Sequence, residues 1–344
     1  MNVSFILAAY NVGPYIDACL ASLLPELQPG DELIVVNDGS TDDTRARLGA
    51  ALAQWPQAII VDQPNSGVSC ARNVGLQHAK GDYVLLLDGD DVVLGPGLRV
   101  ARSQLAQIQP DILVMDFIEW PQTPGQPERP SPKRSHRPGE VTSNAPAHVV
   151  ETLNDCIPCI WSRFIRRSVF SGLGPAPFPA WSMYDDLAAT VHIVAQAQTL
   201  LYLPLATMKY RIRAGSLTQL RSTRSCTDMV KAALHATTVT QQFPQDTQVK
   251  AAATRFLARK WMDAVKLSRQ AQGKQLLIQQ SLLNDINETL LRAPKSDLLP
   301  LLQSGRKDER KAHRHLMLAR LHSGLYARTM AKLAERKQRR AHHG

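Results

Sequence analysis

Much that would settle a class at once is missing from this chain of 344 residues. No apolar stretch reaches the ~20 residues that a bilayer-spanning helix needs. The opening MNVSFILAAYN has no basic segment ahead of its short apolar run, so it reads as a first strand and not as a signal peptide. Cysteine is scarce and odd in number. Cys19, Cys70, Cys156, Cys159 and Cys226 are mostly scattered, which argues for a reducing compartment. Cys156 and Cys159 form a CxxC, but no second pair follows to complete a zinc site. The histidines at 313, 315, 322, 342 and 343 do not fall at the HExxH spacing of a zinc hydrolase. Helix-turn-helix, zinc-finger and RNA-binding signatures are absent, which argues against nucleic acid as a partner. There is no clean internal repeat.

What is present describes a globular chain: apolar residues make up 44% and charged residues 20%, enough for a sizeable core. The net charge of +10 is unevenly spread. From Arg306 onward there are 12 Lys or Arg against 3 Asp or Glu, which leaves residues 1–305 at +1. The tail interleaves Leu316, Leu318, Leu325, Met330 and Leu333 with arginines and lysines, as a basic amphipathic helix does. Three uses stay open for it: lying on anionic lipid, covering the body of the protein, or self-association.

Along the chain, strand and helix patterns alternate at short spacing. Val3–Ala9, Glu32–Val36, Ala58–Val61 and Tyr83–Leu87 read as strands, with helices to about Leu27, to about Gln54 and over Val68–Ala79 between them. Ser40 or Thr41 suits the cap of the second helix. This rhythm predicts a mostly parallel sheet covered on both faces. Pro96 opens another helix, and Asp111–Phe117 is a further strand. Residues 121–148 then hold seven prolines without periodicity, which predicts a long exposed loop or disordered insertion. Order returns over Val149–Leu153 and Ile160–Phe170, and Tyr184-Asp-Asp-Leu opens an apolar helix. Leu200–Leu203 and Thr207–Arg213 read as two short strands, and from Thr227 the pattern is helical with breaks near Pro244, Pro294 and Gly305.

The chemistry-bearing stretch is YVLLLDGDD, residues 83–91. Asp88, Asp90 and Asp91 arrive within four positions at the end of a buried strand, where open α/β sheets place ligands. Carboxylates at that density repel one another unless a cation shares them, and a hard divalent ion holding a diphosphate is one such use. A solvated acidic turn is the alternative. The polar segments around Tyr10, Asp38 and Asp88 all follow strands, so the topology brings them to one crevice.

FILAAYN, IVVNDGSTDDT and NSGVSCARNVGLQHAKGDYVLLLDGDD, followed in order by IWSRFIRRSVF, MYDDL and YRIRAGSLT, resemble the family 2 glycosyltransferases. These are inverting enzymes of the GT-A fold that build bacterial capsules, lipopolysaccharides and other glycans. The resemblance is strong over 1–115, weaker over 155–220, and absent beyond about 225. It implies an α/β GT-A catalytic domain over 1–225, with a nucleotide-sugar half at 1–118, a proline-rich insertion at 119–148 and an acceptor half at 149–225. A helical region at 226–305 and a basic tail at 306–344 would follow. The implied reaction is metal-dependent transfer from a nucleotide sugar, a UDP-sugar first, to a glycan or lipid-linked glycan hydroxyl. The implied setting is the cytoplasm, at the inner face of its membrane if the tail binds lipid.

The resemblance also implies roles. Ala9, Tyr10 and Asn11 border the base; Asp38 sits beside uracil, with Asn37 standing where many members have an aspartate. Arg72 reaches toward the nucleotide or its phosphates. Asp90 is the ligand of Mn²⁺ or Mg²⁺, and Asp88 lies nearer the ribose or holds the metal through water. Asp91 faces the sugar or acceptor, and Asp186 of the Asp185-Asp186 pair is the general base. Arg213, and less so Arg211, are candidates for diphosphate contact. Arg163, Arg166 and Arg167 join the acceptor side to the core. Trp181 and Trp120 flank that side, with sugar stacking and packing both open for Trp181. A nucleotidyltransferase is the alternative within the enzyme class, but LAAYNVG lacks the repeated glycines of a phosphate-cradling loop. A non-catalytic relative working through its tail is the other alternative.

Overall fold

The computed structural model describes residues 1–271 except 133, 156–158, 181–182, 214–215 and 217–222. The chain divides into two units, Met1–Gln219 and Leu220–Gly344. The CxxC, through Cys156, the indole of Trp181 and the whole basic tail lie outside the described residues.

In the first unit the alternating patterns become β1 (Val3–Ala9), α1 (Gly13–Leu23), β2 (Glu32–Asp38), α2 (Thr44–Leu52), β3 (Ala58–Gln63), α3 (Val68–His78) and β4 (Tyr83–Asp88). The strands pair in parallel, β1 with both β2 and β4, and β2 with β3. β1, β2 and β4 are almost wholly buried, which is why they read as continuous apolar runs and not as alternation. Pro14 and Pro96 each stand in the first turn of a helix, α1 and α4 (Gly95–Ile108), where a missing N–H costs nothing. The cap of α2 is neither Ser40 nor Thr41. Asp42 accepts the N–H of Thr44 at 3.0 Å, while Ser40 and Thr41 turn to the β1 loop.

Beyond β4 the sheet changes sense. β5 (Val92–Val93) and β6 (Ile112–Pro121) lead to β7 (Arg129–Pro130), β8 (Val141–Thr142), β9 (Arg163–Arg166) and β10 (Leu200–Ile212). The order across the sheet is β3-β2-β1-β4-β9-β6-β10-β5, with β9 antiparallel between β4 and β6. The two short strands expected over 200–213 are one, and register shifts at Leu203/Ala206 and Ala206/Lys209 carry it past Pro204. Phe5, Leu7, Leu20, Leu33, Leu85, Leu113 and Phe164 meet in the core beneath. Each such side chain contributes about 1.5–3 kcal/mol by leaving water.

Where it is described, the proline-rich segment is largely exposed and irregular, as an exposed loop is, but it is tied down. β7 pairs with β6, β8 pairs with β10, and α5 begins at Ala145. Arg134 is buried and donates to Met115 O, Ser162 Oγ and Asp116 Oδ1 at 3.0, 3.1 and 3.3 Å. His136 is buried between the carboxylates of Glu151 and Asp155, at 3.5 and 3.4 Å. These partners are distant in sequence, so no periodicity announces them.

In the second unit α7 (Thr223–Thr237) and α8 (Thr247–Ala271) pack together, with Val230, Ala233, Phe256 and Leu257 buried. Asp246 caps α8 by accepting the N–H groups of Gln248 and Val249 at 2.8 and 2.9 Å, two residues past the break expected near Pro244. No helix among the described residues is long and apolar enough to cross a membrane.

Candidate active site

The C-terminal ends of β1, β2 and β4 open on one side of the sheet, and side chains stitch their loops together. Ala9 is buried and Tyr10 is exposed beyond it. Asn11 adopts φ 49°, a left-handed conformation that asparagine tolerates, and its Oδ1 accepts the N–H of Thr41 at 2.8 Å. Asn37 is buried. Its Nδ2 donates to Asp62 at 2.8 Å and its Oδ1 accepts Ser40 N–H at 3.3 Å. Asp38, also buried, accepts Gln63 Nε2 and Ser66 N at Oδ1, at 2.7 and 2.8 Å, and Gly67 N at Oδ2, at 2.8 Å. Asp38 thereby fixes the loop into α3. Sequence reasoning placed Asp38 beside a base and did not foresee this structural duty.

The acidic turn follows β4. Asp88 keeps its side chain 27% exposed, whereas Asp91 is 2% exposed. Asp91 therefore does not face a sugar or an acceptor. Its Oδ1 accepts the backbone N–H of Arg211 at 2.7 Å, and its Oδ2 is buried without a hydrogen-bond partner among the described residues. Burial, reinforced by Asp90 and Asp88, raises its pKa well above the carboxylate range. Burial and Asp88 also raise the pKa of Asp90, against the pull of Arg213. Asp91 belongs to the frame of the turn, and Asp88 and Asp90 remain on its open side.

From the other half of the unit, α6 (Asp185–Gln196) points its first turn at the same place. Asp185 is buried and accepts Arg72 Nη1 at 2.6 Å, while Arg72 Nη2 donates to Asp88 at 2.8 Å. Arg72 thus ties the end of β4 to the start of α6, Asp88 to Asp185, across nearly a hundred positions of chain. Arg72 was expected to reach a nucleotide or its phosphates. Its buried guanidinium is instead committed to two carboxylates. Asp186 accepts the N–H of Leu187 at 2.7 Å on Oδ1, leaving Oδ2 to take a proton. Burial, then the neighbouring charge of Asp185, raises the Asp186 pKa to about 7, and Arg72 works in the opposite direction. A carboxylate poised there is suited to general-base work near neutral pH.

Two arginines, Arg211 on β10 and Arg213 just after it, close the turn. Arg211 donates Nε to Asp90 O at 2.6 Å and Nη1 to Gln122 at 3.0 Å, with its guanidinium over the rings of Trp120 and Tyr15 at 4.2 and 5.0 Å. It is 7% exposed, so it positions the turn and does not reach outward. Arg213 pairs Nε with Asp90 Oδ2 at 2.8 Å and lies over Tyr15 at 4.7 Å. Tyr15 was not anticipated, and a lone aromatic on α1 carries no sequence signal for such a contact. Trp120 is held as packing between Arg211 and Lys209. Arg163 is buried, Arg166 pairs with Asp111 at 3.0 Å and Arg167 donates to Gly81 O at 2.9 Å, which joins this half to the core. Burial and Asp186 push the Cys159 thiol up to about 12, far from a reactive thiolate.

Among the described residues no group of three or more His, Cys, Asp or Glu is arranged to hold a metal by itself. The donor chemistry nonetheless fits a hard divalent cation. Asp88 and Asp90 offer carboxylate oxygens on the open side, and Mg²⁺ is commonly held by one or two carboxylates together with substrate phosphates.

Residues 4–174 match the family described as Glycosyl transferase family 2. The chain belongs to that family. Its largely parallel sheet, flanked by helices and continued by antiparallel strands, is the GT-A architecture that family membership implies. Among similar proteins, glycosyltransferase GlyA of Streptococcus pneumoniae is 25% identical over 230 residues, 63% of this chain and 32% of that protein. The Bacillus subtilis protein named uncharacterized glycosyltransferase EpsJ is 30% identical over 177 residues, 49% of this chain and 48% of that one. The chain therefore spans about a third to about a half of the length of these relatives. The crystal structure of Staphylococcus aureus TarS 1–349 in complex with UDP-GlcNAc shares the fold, with a TM-score of 0.65 at 20% identity, covering 94% of this chain and 92% of that one.

Proposed function

We propose that this family 2 member is an inverting glycosyltransferase that moves a hexosyl or N-acetylhexosaminyl group from a UDP-sugar to a hydroxyl of a glycan or lipid-linked glycan. The observation that carries the proposal is the bridge of Arg72, at 2.8 Å to Asp88 and 2.6 Å to Asp185. Through it the acidic turn and the Asp185-Asp186 pair, from opposite halves of the unit, serve one site.

Asp186 Oδ2 takes the proton of the acceptor hydroxyl as that oxygen bonds the anomeric carbon. The bond from that carbon to the diphosphate breaks, and the nucleoside diphosphate leaves with its electron pair. Asp90, with Asp88 beside it, would hold Mn²⁺ or Mg²⁺, which would supply positive charge for the leaving diphosphate. Tyr10, Asn11 and Asp38 border the base, with Asn37 holding the Asp38 loop from behind. Arg213 offers its guanidinium to the diphosphate. Anionic lipid would be met by the basic tail of 306–344, which suits a lipid-linked acceptor.

Titration calorimetry with UDP, with and without Mn²⁺, tests the donor side, and transfer from a panel of UDP-sugars tests the rest. Wild type is expected to bind UDP with Mn²⁺, and Asp90→Ala is expected to lose that metal dependence. Asp186→Asn is expected to keep donor binding and lose transfer by about 10²–10⁴-fold, the usual contribution of a general base. Failure of wild type to bind UDP or any other nucleoside diphosphate would sink the reading.

A further inference from the structure

We propose that Arg213 is the resident counter-cation of Asp90, and that it keeps the metal position closed to a divalent ion until a nucleoside diphosphate draws the guanidinium away. The inference rests on the proposed donor chemistry and adds an order to it, in which metal and nucleotide enter as linked partners.

Three carboxylates within four residues demand compensation, and each already has a different source of it. Asp88 has Arg72, Asp91 has the backbone N–H of Arg211, and Asp90 has Arg213. The first two arrangements are built into the frame, since Arg72 and Asp91 are 4% and 2% exposed. The third is not. The side chains of Arg213 and Asp90 are each 18% exposed, and a single Nε contact of 2.8 Å joins them. A divalent ion arriving alone meets a guanidinium already seated on Oδ2 of its main ligand, and it competes with that charge for the carboxylate. Nothing else in the turn offers it a bare carboxylate pair, because Asp88 is already shared with Arg72.

A diphosphate changes that balance. A guanidinium forms charge-assisted paired bonds to phosphate oxygens, which are stronger than its one contact with Asp90. The ring of Tyr15 under the Arg213 guanidinium, at 4.7 Å, gives it a surface over which to turn from the carboxylate to the ligand without losing all of its contacts. Asp90 is then released for the metal as the phosphates arrive to complete the metal's shell. By linkage, nucleotide and metal must each raise the other's affinity.

The test counts free Mn²⁺ by electron paramagnetic resonance, first without nucleotide and then with UDP, on the full chain. Without nucleotide, wild type is expected to bind Mn²⁺ weakly. Arg213→Gln and Arg213→Ala are expected to bind it about tenfold or more tightly, as loss of one competing part-exposed ion pair allows. Arg213→Lys, which keeps the charge, should stay near wild type. Adding UDP should tighten Mn²⁺ on wild type by tenfold or more, and on Arg213→Gln by less. Equal Mn²⁺ affinity in wild type and both charge-removing variants overturns the proposal. So does a wild type whose Mn²⁺ affinity is indifferent to UDP that it binds, a result that needs no variant to fold. Either of those outcomes leaves the proposed function standing as long as UDP binds, whereas wild type that binds no nucleoside diphosphate with Mn²⁺ removes both.

Discussion

Asp186 is the residue whose removal should both stop the proposed reaction and stabilise the protein. Burial and Asp185 lift its pKa from the ordinary 3.8 to about 7. Ionising it in the folded chain is then about 4 kcal/mol harder than in the unfolded chain. The sign follows from proton binding. Below pH 3.8 both states hold the proton and nothing is lost; as pH rises toward 7 the unfolded chain gives up its proton first, and stability falls. Above the folded pKa the loss is complete and flat. Asp186→Asn keeps a carbonyl oxygen for the Leu187 N–H and has no proton to lose. The stability of the variant relative to wild type should therefore grow by about 2 kcal/mol between pH 5 and pH 7 and stop growing above about pH 8. For a unit of this size that is roughly 4–8 °C in Tm. Thermal melts of both proteins across pH 5–9 in matched buffers give the curve. Two melting curves that stay a constant distance apart would refute the argument, because a carboxylate with an ordinary pKa makes no such difference in this range. The same pKa requires wild-type transfer to rise with pH through about 7, as the base loses its proton.

Arg72→Met leaves the carboxylate of Asp185, 6% exposed, buried without its cation, and urea denaturation should show a loss of about 3–5 kcal/mol. A loss under 1 kcal/mol would mean that the bridge is ornamental. Arg134→Met removes the buried anchor of the proline-rich segment from Asp116 and Ser162, and a glutamate-specific protease should cut after the exposed Glu140 sooner than in wild type. Unchanged cleavage kinetics would show that His136 and the short strands hold the segment alone. Gly97→Ala places a Cβ 2.1 Å from Ala206 O, where α4 meets the backbone of β10. A carbonyl in a sheet cannot step aside as a side-chain tip can, so the change should cost about 1–3 kcal/mol or more in denaturant unfolding.

What could be read beforehand was local. β1 to β4 and the helices between them stand within a few residues of their sequence boundaries, because burial on both faces writes unbroken apolar runs and helices write a 3.6-residue period. The YVLLLDGDD stretch ended on a strand terminus for the same reason. The acidic turn was legible as a charge problem, although not as to which acid faces where. Asp91 turned inward because β10, arriving some 120 residues later, offers a backbone N–H at 2.7 Å.

The sequence by itself determined the class of sheet and the family and put forward the candidate residues, since each is carried by patterns within about thirty residues of chain. Only the tertiary structure decided how those residues divide the work. It gave Arg72 to Asp88 and Asp185, Arg213 to Asp90, and Asp38 to the loop before α3. It also pinned a segment that composition marked as loose, through Arg134 and His136. The physical reason is common to all of them. An ion pair or a buried hydrogen bond is worth forming only where a third element excludes water and fixes the geometry. That element comes from a distant part of the chain, so its effect has no period to read.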